Sequence, residues 1–157
     1  MGANITWSRY ADVPPATSDE IQDAEAVLGV EFPRSVSELL MKHQGMKVDP
    51  SIVTTMRGRR VSIGSLAYVS SPNRSSAQLT LQAWVETMRR GGYPRLVIPV
   101  FDTGTQSHIA LDYRQDPASP TVAYVYPDGN AAETGYWQVE QLAESFDRLM
   151  DTLDFDR

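Results

Sequence analysis

The sequence predicts an α+β fold in one domain: an antiparallel-rich mixed sheet packed against an N-terminal helical hairpin and a C-terminal helix. Three observations carry this expectation. Capped, helically spaced apolar residues mark the first third of the chain and its C-terminus. Three short runs rich in Val, Ile and Tyr occupy residues 95–127. The order, helices then strands then a helix, belongs to α+β chains. A length of 157 residues with 41% hydrophobic side chains is enough for one domain with a real core.

The elements follow in order. In ATSDEIQDAEAVLGV, Ser18 is the expected N-cap, and Asp19 and Glu20 sit in the first turn, where the helix dipole favours anions. Ile21, Ala24 and Leu28 share a face, and Gly29 is the natural stop. Pro33 opens a second helix, on which Val36, Leu39, Leu40 and His43 share a face before Gly45 ends it. The short connection makes the two a helical hairpin. Residues 46–75 are the least patterned; MRGRRVSIGSLAYV holds one strand or two, and SSPNRSS is a loop. SAQLTLQAWVETMRRGG is helical, with Ala77, Leu81, Trp84 and Met88 at helical spacing and Gly91-Gly92 as its end. The strand-like runs are RLVIPVF, HIALDY and TVAYVYP. Val139, Leu142, Phe146, Leu149 and Leu153 mark a last helix with one apolar stripe.

Composition excludes several classes. No apolar run approaches the roughly 20 residues of a membrane span, and MGANITWSRYADVPP lacks the basic start and apolar stretch of a secretory signal. The myristoylation pattern of MGANIT has no polybasic patch behind it, and one acyl chain anchors only marginally. Glycosylation patterns at Asn4-Ile5-Thr6 and Asn73-Arg74-Ser75 have no meaning without secretion. Cysteine is absent, which removes disulfides and thiolate ligands and favours a reducing compartment, so the expected location is cytoplasmic. The net charge of −6 is uneven: residues 1–33 carry −5, residues 140–157 carry −4, and the middle carries +3. Such a chain repels nucleic acid on average and can steer a basic protein partner.

VFDTGTQS, Val100 to Ser107, has the Asp-Thr-Gly of an aspartic protease. That chemistry needs two carboxylates sharing one proton. No second Asp-Thr/Ser-Gly is present, and about four helices do not fit the nearly all-β retroviral subunit that could supply one by dimerisation. The motif reads as a strand entering a tight turn. His43 reads as a packed or capping histidine, Glu25 as a half-buried carboxylate bonded to a loop amide or an Arg, and Arg57 to Arg60 as a solvated hairpin turn rather than a phosphate contact.

A resemblance covers the same residues. Ala24-Glu25, Leu28-Gly29, Phe32-Pro33, Leu39-Leu40 and His43-Gln44-Gly45 resemble, in order, the N-terminal signature of the SUKH superfamily. VIPVFDTGTQSHIALDYR, TVAYVYPDG and VEQLAESFDRLMDTL resemble its strand–turn–strand, next strand and C-terminal helix. The likeness spans about residues 7–153 and implies one SUKH-like domain over 1–157. Many members carry a Gly-Asp pair in the central turn; here Thr105-Gln106 follows Gly104, so that acid has no counterpart. Members include fungal cell-wall-assembly regulators and bacterial immunity proteins that bind toxins, often nucleases. The resemblance therefore implies a protein-binding module that is not an enzyme, with no cofactor, no metal, no direct nucleic-acid or membrane contact, and a cognate toxin or other protein as partner.

With the helices committed to the core, the sheet side and its turns are left for that partner. The expected contacts are Asp102, Asp112, Tyr124, Tyr126, Asp128, Glu133 and Trp137, acids for steering and aromatics for anchoring. The alternative from another class is a small hydrolase or metal-dependent enzyme using Asp102, His108 and Asp112. It requires those three to converge, and His108 and Asp112 have the same strand parity.

Overall fold

The structure, a computed structural model, describes residues 6–73, 77–128 and 137–153. Its elements are β1 (Thr6–Arg9), α1 (Ser18–Leu28), α2 (Arg34–His43), β2 (Met46–Met56), β3 (Arg59–Ser65), α3 (Leu81–Arg90), β4 (Val97–Asp102), β5 (His108–Asp112), β6 (Thr121–Pro127), β7 (Trp137–Ala143) and α4 (Phe146–Leu153). The fold is α+β. Its strands form two antiparallel sheets, β1-β2-β3 and β4-β5-β6-β7, where the sequence predicts one mixed sheet. The sheets meet where Leu66 bridges Phe101 and the Ala67 amide donates to the Val100 carbonyl (2.9 Å).

The helical hairpin forms as expected, with its cap shifted by one residue. Thr17, not Ser18, is the N-cap: its hydroxyl accepts from the Glu20 amide (3.2 Å) while the Glu20 carboxylate accepts from the Thr17 amide (2.9 Å). This reciprocal box satisfies two otherwise orphaned donors, which Ser18 could not do with Glu20 only two residues on. Ile21, Ala24 and Leu28 of α1 pack with Val36, Leu39 and Leu40 of α2 in the main core. In β2–β3, Met56 pairs with Arg59 across Arg57-Gly58, both at positive φ (47° and 78°). This is the two-residue turn whose twist suits a hairpin, so the stretch holds two strands and Arg57-Gly58 is their turn.

The last expected helix is shorter than its apolar stripe. Val139 and Leu142 belong to β7, where Val139 pairs with Val125 of β6. Trp137, Val139 and Gln141 alternate on one side of this strand, and pairing with β6 outweighs the spacing of three and four that mimics a helix. The chain turns helical only after Ser145, whose hydroxyl caps the Arg148 amide (3.2 Å). Phe146, Leu149 and Leu142 are buried; the Leu153 side chain lies outside the described part. The acylation pattern and both glycosylation patterns fall wholly or partly outside the described residues.

The four-stranded sheet is covered unequally. Ile98, Ile109, Leu111 and Val122 face the main core with the helices. Val97, Ala110, Ala123 and Val125 face a smaller cluster with Tyr93, Met88, Trp137 and Val139.

Candidate partner-binding site

The Asp-Thr-Gly turn joins β4 to β5 and spends its polar groups internally. The Asp102 carboxylate accepts from the Gly104 amide, and Gly104 takes the left-handed conformation (φ 83°). Thr103 Oγ1, Thr105 Oγ1 and Ser107 Oγ lie 2.6–3.0 Å from one another, and the Thr103 hydroxyl also donates to the Ser107 carbonyl. Tyr124 of β6 donates its phenol to Ser107 Oγ (2.9 Å). The tight turn forms as expected, and three hydroxyls lock it into a corner.

His108, directly across from Asp102 in the β4–β5 pair, is buried among aromatics. Trp84 and Tyr93 meet it edge-on at 4.8 and 5.8 Å, and Trp137 lies nearer to parallel with it at 6.0 Å (30°). Burial lowers its pKa to about 4, with Asp102 pulling weakly the other way. The imidazole is therefore neutral at physiological pH. Asp112 shares the His108 side of β5, as parity predicts, but stands at the other end of the strand, roughly 13 Å along. There it forms a two-pronged pair with Arg114 (2.9 and 3.0 Å), which holds the guanidinium charged. Asp102, His108 and Asp112 do not converge, and no group of three metal-ligating side chains occurs among the described residues.

The expected contact residues are divided by the sheet. Tyr124 and Tyr126 lie on the main-core side of β6, half-buried, with ring centroids 5.5 Å apart. Tyr126 donates to Glu140 Oε1 (2.9 Å), and the exposed Asp128 accepts from Gln138 (3.0 Å). These groups form one patch at the turn end of the sheet. Trp137 pairs with Pro127, so it faces the opposite side, against Tyr93 (5.0 Å), with its indole nitrogen buried and unbonded among the described residues. Asp102 neighbours Trp137 only through His108, and Asp112 is at the far end. Glu133 lies outside the described residues.

With the geometry in place, similarity decides the family. The model of the SMI1 / KNR4 family (SUKH-1) matches residues 15–152, from just before α1 almost to the end of α4. The chain belongs to the SMI1 / KNR4 family (SUKH-1). No curated protein matches it.

In this SUKH-1 chain the signature residues of the hairpin are structural fasteners. Glu25 Oε2 accepts from the Phe32 amide (2.6 Å), the loop contact expected of it. Gln44, only 2% exposed, donates to the Pro14 carbonyl (2.6 Å) and to Ser70 Oγ (3.0 Å) and accepts from the Val69 amide (3.0 Å), tying the end of α2 to two distant loops. Gly45 has φ 72°, and a Cβ there would stand 2.3 Å from Val13 Cγ2, so no other residue fits. His43 is not in the core but stacks flat on Trp7 of β1 (4.3 Å, 6°). Sequence reasoning missed Gln44 and the hydroxyl corner. The density of Thr and Ser in DTGTQS was the available signal for the second; nothing local marks the first.

Proposed function

We propose that this SUKH-1 protein is a non-enzymatic binding module of the cytoplasm, an immunity protein that neutralises a toxin by direct contact. A nuclease is the best-fitting kind of toxin. The observation that carries this reading is the patch of Tyr124, Tyr126, Asp128 and Glu140. It combines two half-exposed aromatic rings, one phenol held by a carboxylate, and an exposed acid, Asp128, at its rim. Preset aromatics of this kind anchor interfaces at low entropic cost. A nuclease is basic where it holds phosphate, which complements the acidic rim. In this reading Asp102 and Trp137 flank the patch from the opposite side of the sheet, Asp112 makes a separate acidic contact at the far end, and Glu133 is a further contact. Family membership supports the reading, as does the internal engagement of Asp102, His108 and Asp112, the groups an enzyme would need.

The test is co-expression with any candidate toxin encoded beside this gene, followed by binding kinetics on the purified pair. The expected result is rescue of growth, an association rate that falls as salt rises, and a loss of about 2 kcal/mol of affinity in Tyr126→Ala. No rescue, or rescue without a complex, would sink the proposal.

A further inference from the structure

A second surface lies at the opposite end of the β4–β5 hairpin. There the C-terminal half of α1 stands over the start of β4 and the end of β5 and leaves an open groove of about 710 Å³. Its floor is apolar, formed by Val30, Leu96, Tyr113 and Pro117, and its charged lining residues are Glu25 and Glu31. An adjoining hollow towards α2 shares both glutamates; its one cation, Arg34, is already paired with Glu38 (2.9 Å). The Glu25 carboxylate accepts from the Phe32 amide through Oε2 and makes no other hydrogen bond among the described residues. The Glu31 side chain, exposed, has neither a hydrogen bond nor an ion pair among them, although its backbone carbonyl accepts from the Tyr113 phenol (2.8 Å).

The groove is negative for a further reason. It borders the C-terminus of α1, where the helix dipole places partial negative charge, and the last turn of α1 holds no basic residue to offset it. The two glutamates also act on the floor: the Tyr113 hydroxyl is pushed up, first by burial and then by Glu25 and Glu31. An apolar floor with two carboxylates and a helix C-terminus above it is complementary to a cation on an apolar stem. Of the two such side chains, arginine fits better, because its planar fork can serve two carboxylates while its methylenes cover Val30 and Leu96.

We propose that this groove receives an arginine side chain presented by the bound protein, so that the partner is held at both ends of the sheet. The proposal rests on the partner-binding reading and adds to it a second contact and the chemistry of that contact. A basic toxin that reaches both the tyrosine patch and the groove gains from the two contacts together, because the second forms at high effective concentration.

The experiment uses the full chain labelled with nitrogen-15 and titrated with N-acetyl-arginine methylamide. Its neutral isostere, N-acetyl-citrulline methylamide, is the control. Arginine is expected to shift the amides of Gly29, Val30, Leu96 and Tyr113 in a saturable way, with citrulline leaving them in place. Glu25→Gln with Glu31→Gln should weaken the arginine response about tenfold. Glutamine keeps an acceptor for the Phe32 amide, and the single Glu31→Gln variant changes only an exposed side chain, so folding is not at stake. Equal shifts with citrulline, no localised shifts, or an unchanged response in the double variant would overturn the proposal. The titration involves no toxin, so losing the immunity reading leaves its result standing, and its failure removes the groove even if a toxin is neutralised.

Discussion

The two ends of the β4–β5 hairpin are built from similar residues and behave as opposites. At the turn end, Asp102 caps an amide, three hydroxyls satisfy one another, Tyr124 locks them, and His108 sits among three aromatic rings. At the open end, the Asp112 carboxylate holds only the neighbouring Arg114 among the described residues, two glutamates line a groove, and Leu96 adopts φ 64°. A left-handed leucine costs about 1–2 kcal/mol. It is retained where its half-buried side chain floors the groove. The turn end has converted its polarity into rigidity, whereas the open end has kept polarity for solvent or a ligand. Substitutions at the two ends should therefore differ in what they cost: stability at one, binding at the other.

The largest effect lies beneath the turn end. Phe146 of α4 is buried and stacks on Phe101 (6.4 Å, 9°), one residue before Asp102. Phe146→Ala should cost about 3–5 kcal/mol in denaturant unfolding, the usual range for a buried phenylalanine. A loss under about 1 kcal/mol would mean that α4 does not brace the sheet.

Next comes His108. Unfolded, its imidazole titrates near 6.5; folded, burial holds it to about 4. Between those values the unfolded chain binds a proton that the folded chain refuses. Its contribution to stability is therefore full above about 6.5, falls as pH drops towards 4, and levels off below. The gap corresponds to about 3 kcal/mol. His108→Phe keeps an aromatic ring in the box and should lose that much less stability than the wild type between pH about 7.5 and about 4. Parallel losses in the two proteins would show that the imidazole is not what titrates.

These two sites also show what the sequence could and could not disclose. Buried positions on α1 and α2 were legible from apolar spacing, Ile21, Ala24 and Leu28 on one helix and Val36, Leu39 and Leu40 on the other, although the cap of α1 stands one residue before the expected Ser18. Tyr124 and Tyr126 on one face followed from strand parity alone. Trp137 did not, because its face depends on register with β6, which no local pattern encodes. β7 was hidden for a related reason: Val139, Leu142 and Phe146 are spaced like a helix, and only pairing with Val125 settles the matter. β1, four residues long, has too few positions to show a period. The groove was illegible because Glu25, Leu96 and Tyr113 come from three separate parts of the chain, and nothing in Pro94-Arg95-Leu96 announces a positive φ.

A smaller effect tests the hydroxyl corner itself. Ser107 is buried and accepts the Tyr124 phenol. Ser107→Ala removes an acceptor from the Tyr124 phenol and one partner from each threonine hydroxyl, which keep their contact with each other, so stability should fall by about 1–2 kcal/mol. Thermal unfolding should register this as a midpoint lower by about 2–8 °C. An unchanged midpoint would leave the turn end no more rigid than the open end, and the contrast would lose its basis.

The smallest effect on stability belongs to Asp112. Its carboxylate accepts from the Arg114 amide (3.1 Å) and from the guanidinium, but the arginine side chain is 46% exposed and returns to water at little cost. The Asp112 side chain is only 13% exposed, but a pair open to water through its arginine contributes about 0–1 kcal/mol, and less as salt rises. Asp112→Asn keeps an acceptor for the Arg114 amide, so it should shift the unfolding midpoint in urea hardly at all. Its effect should appear instead in association with the proposed protein partner, as a slower on-rate at low salt that converges with the wild type at high salt. The same charge that is nearly irrelevant to folding then matters to encounter, which is the property expected of a surface kept open for a partner. A stability loss above about 2 kcal/mol would instead make the Asp112–Arg114 pair a fastener like those of the turn end. Asp112 would then have to be struck from the binding surface.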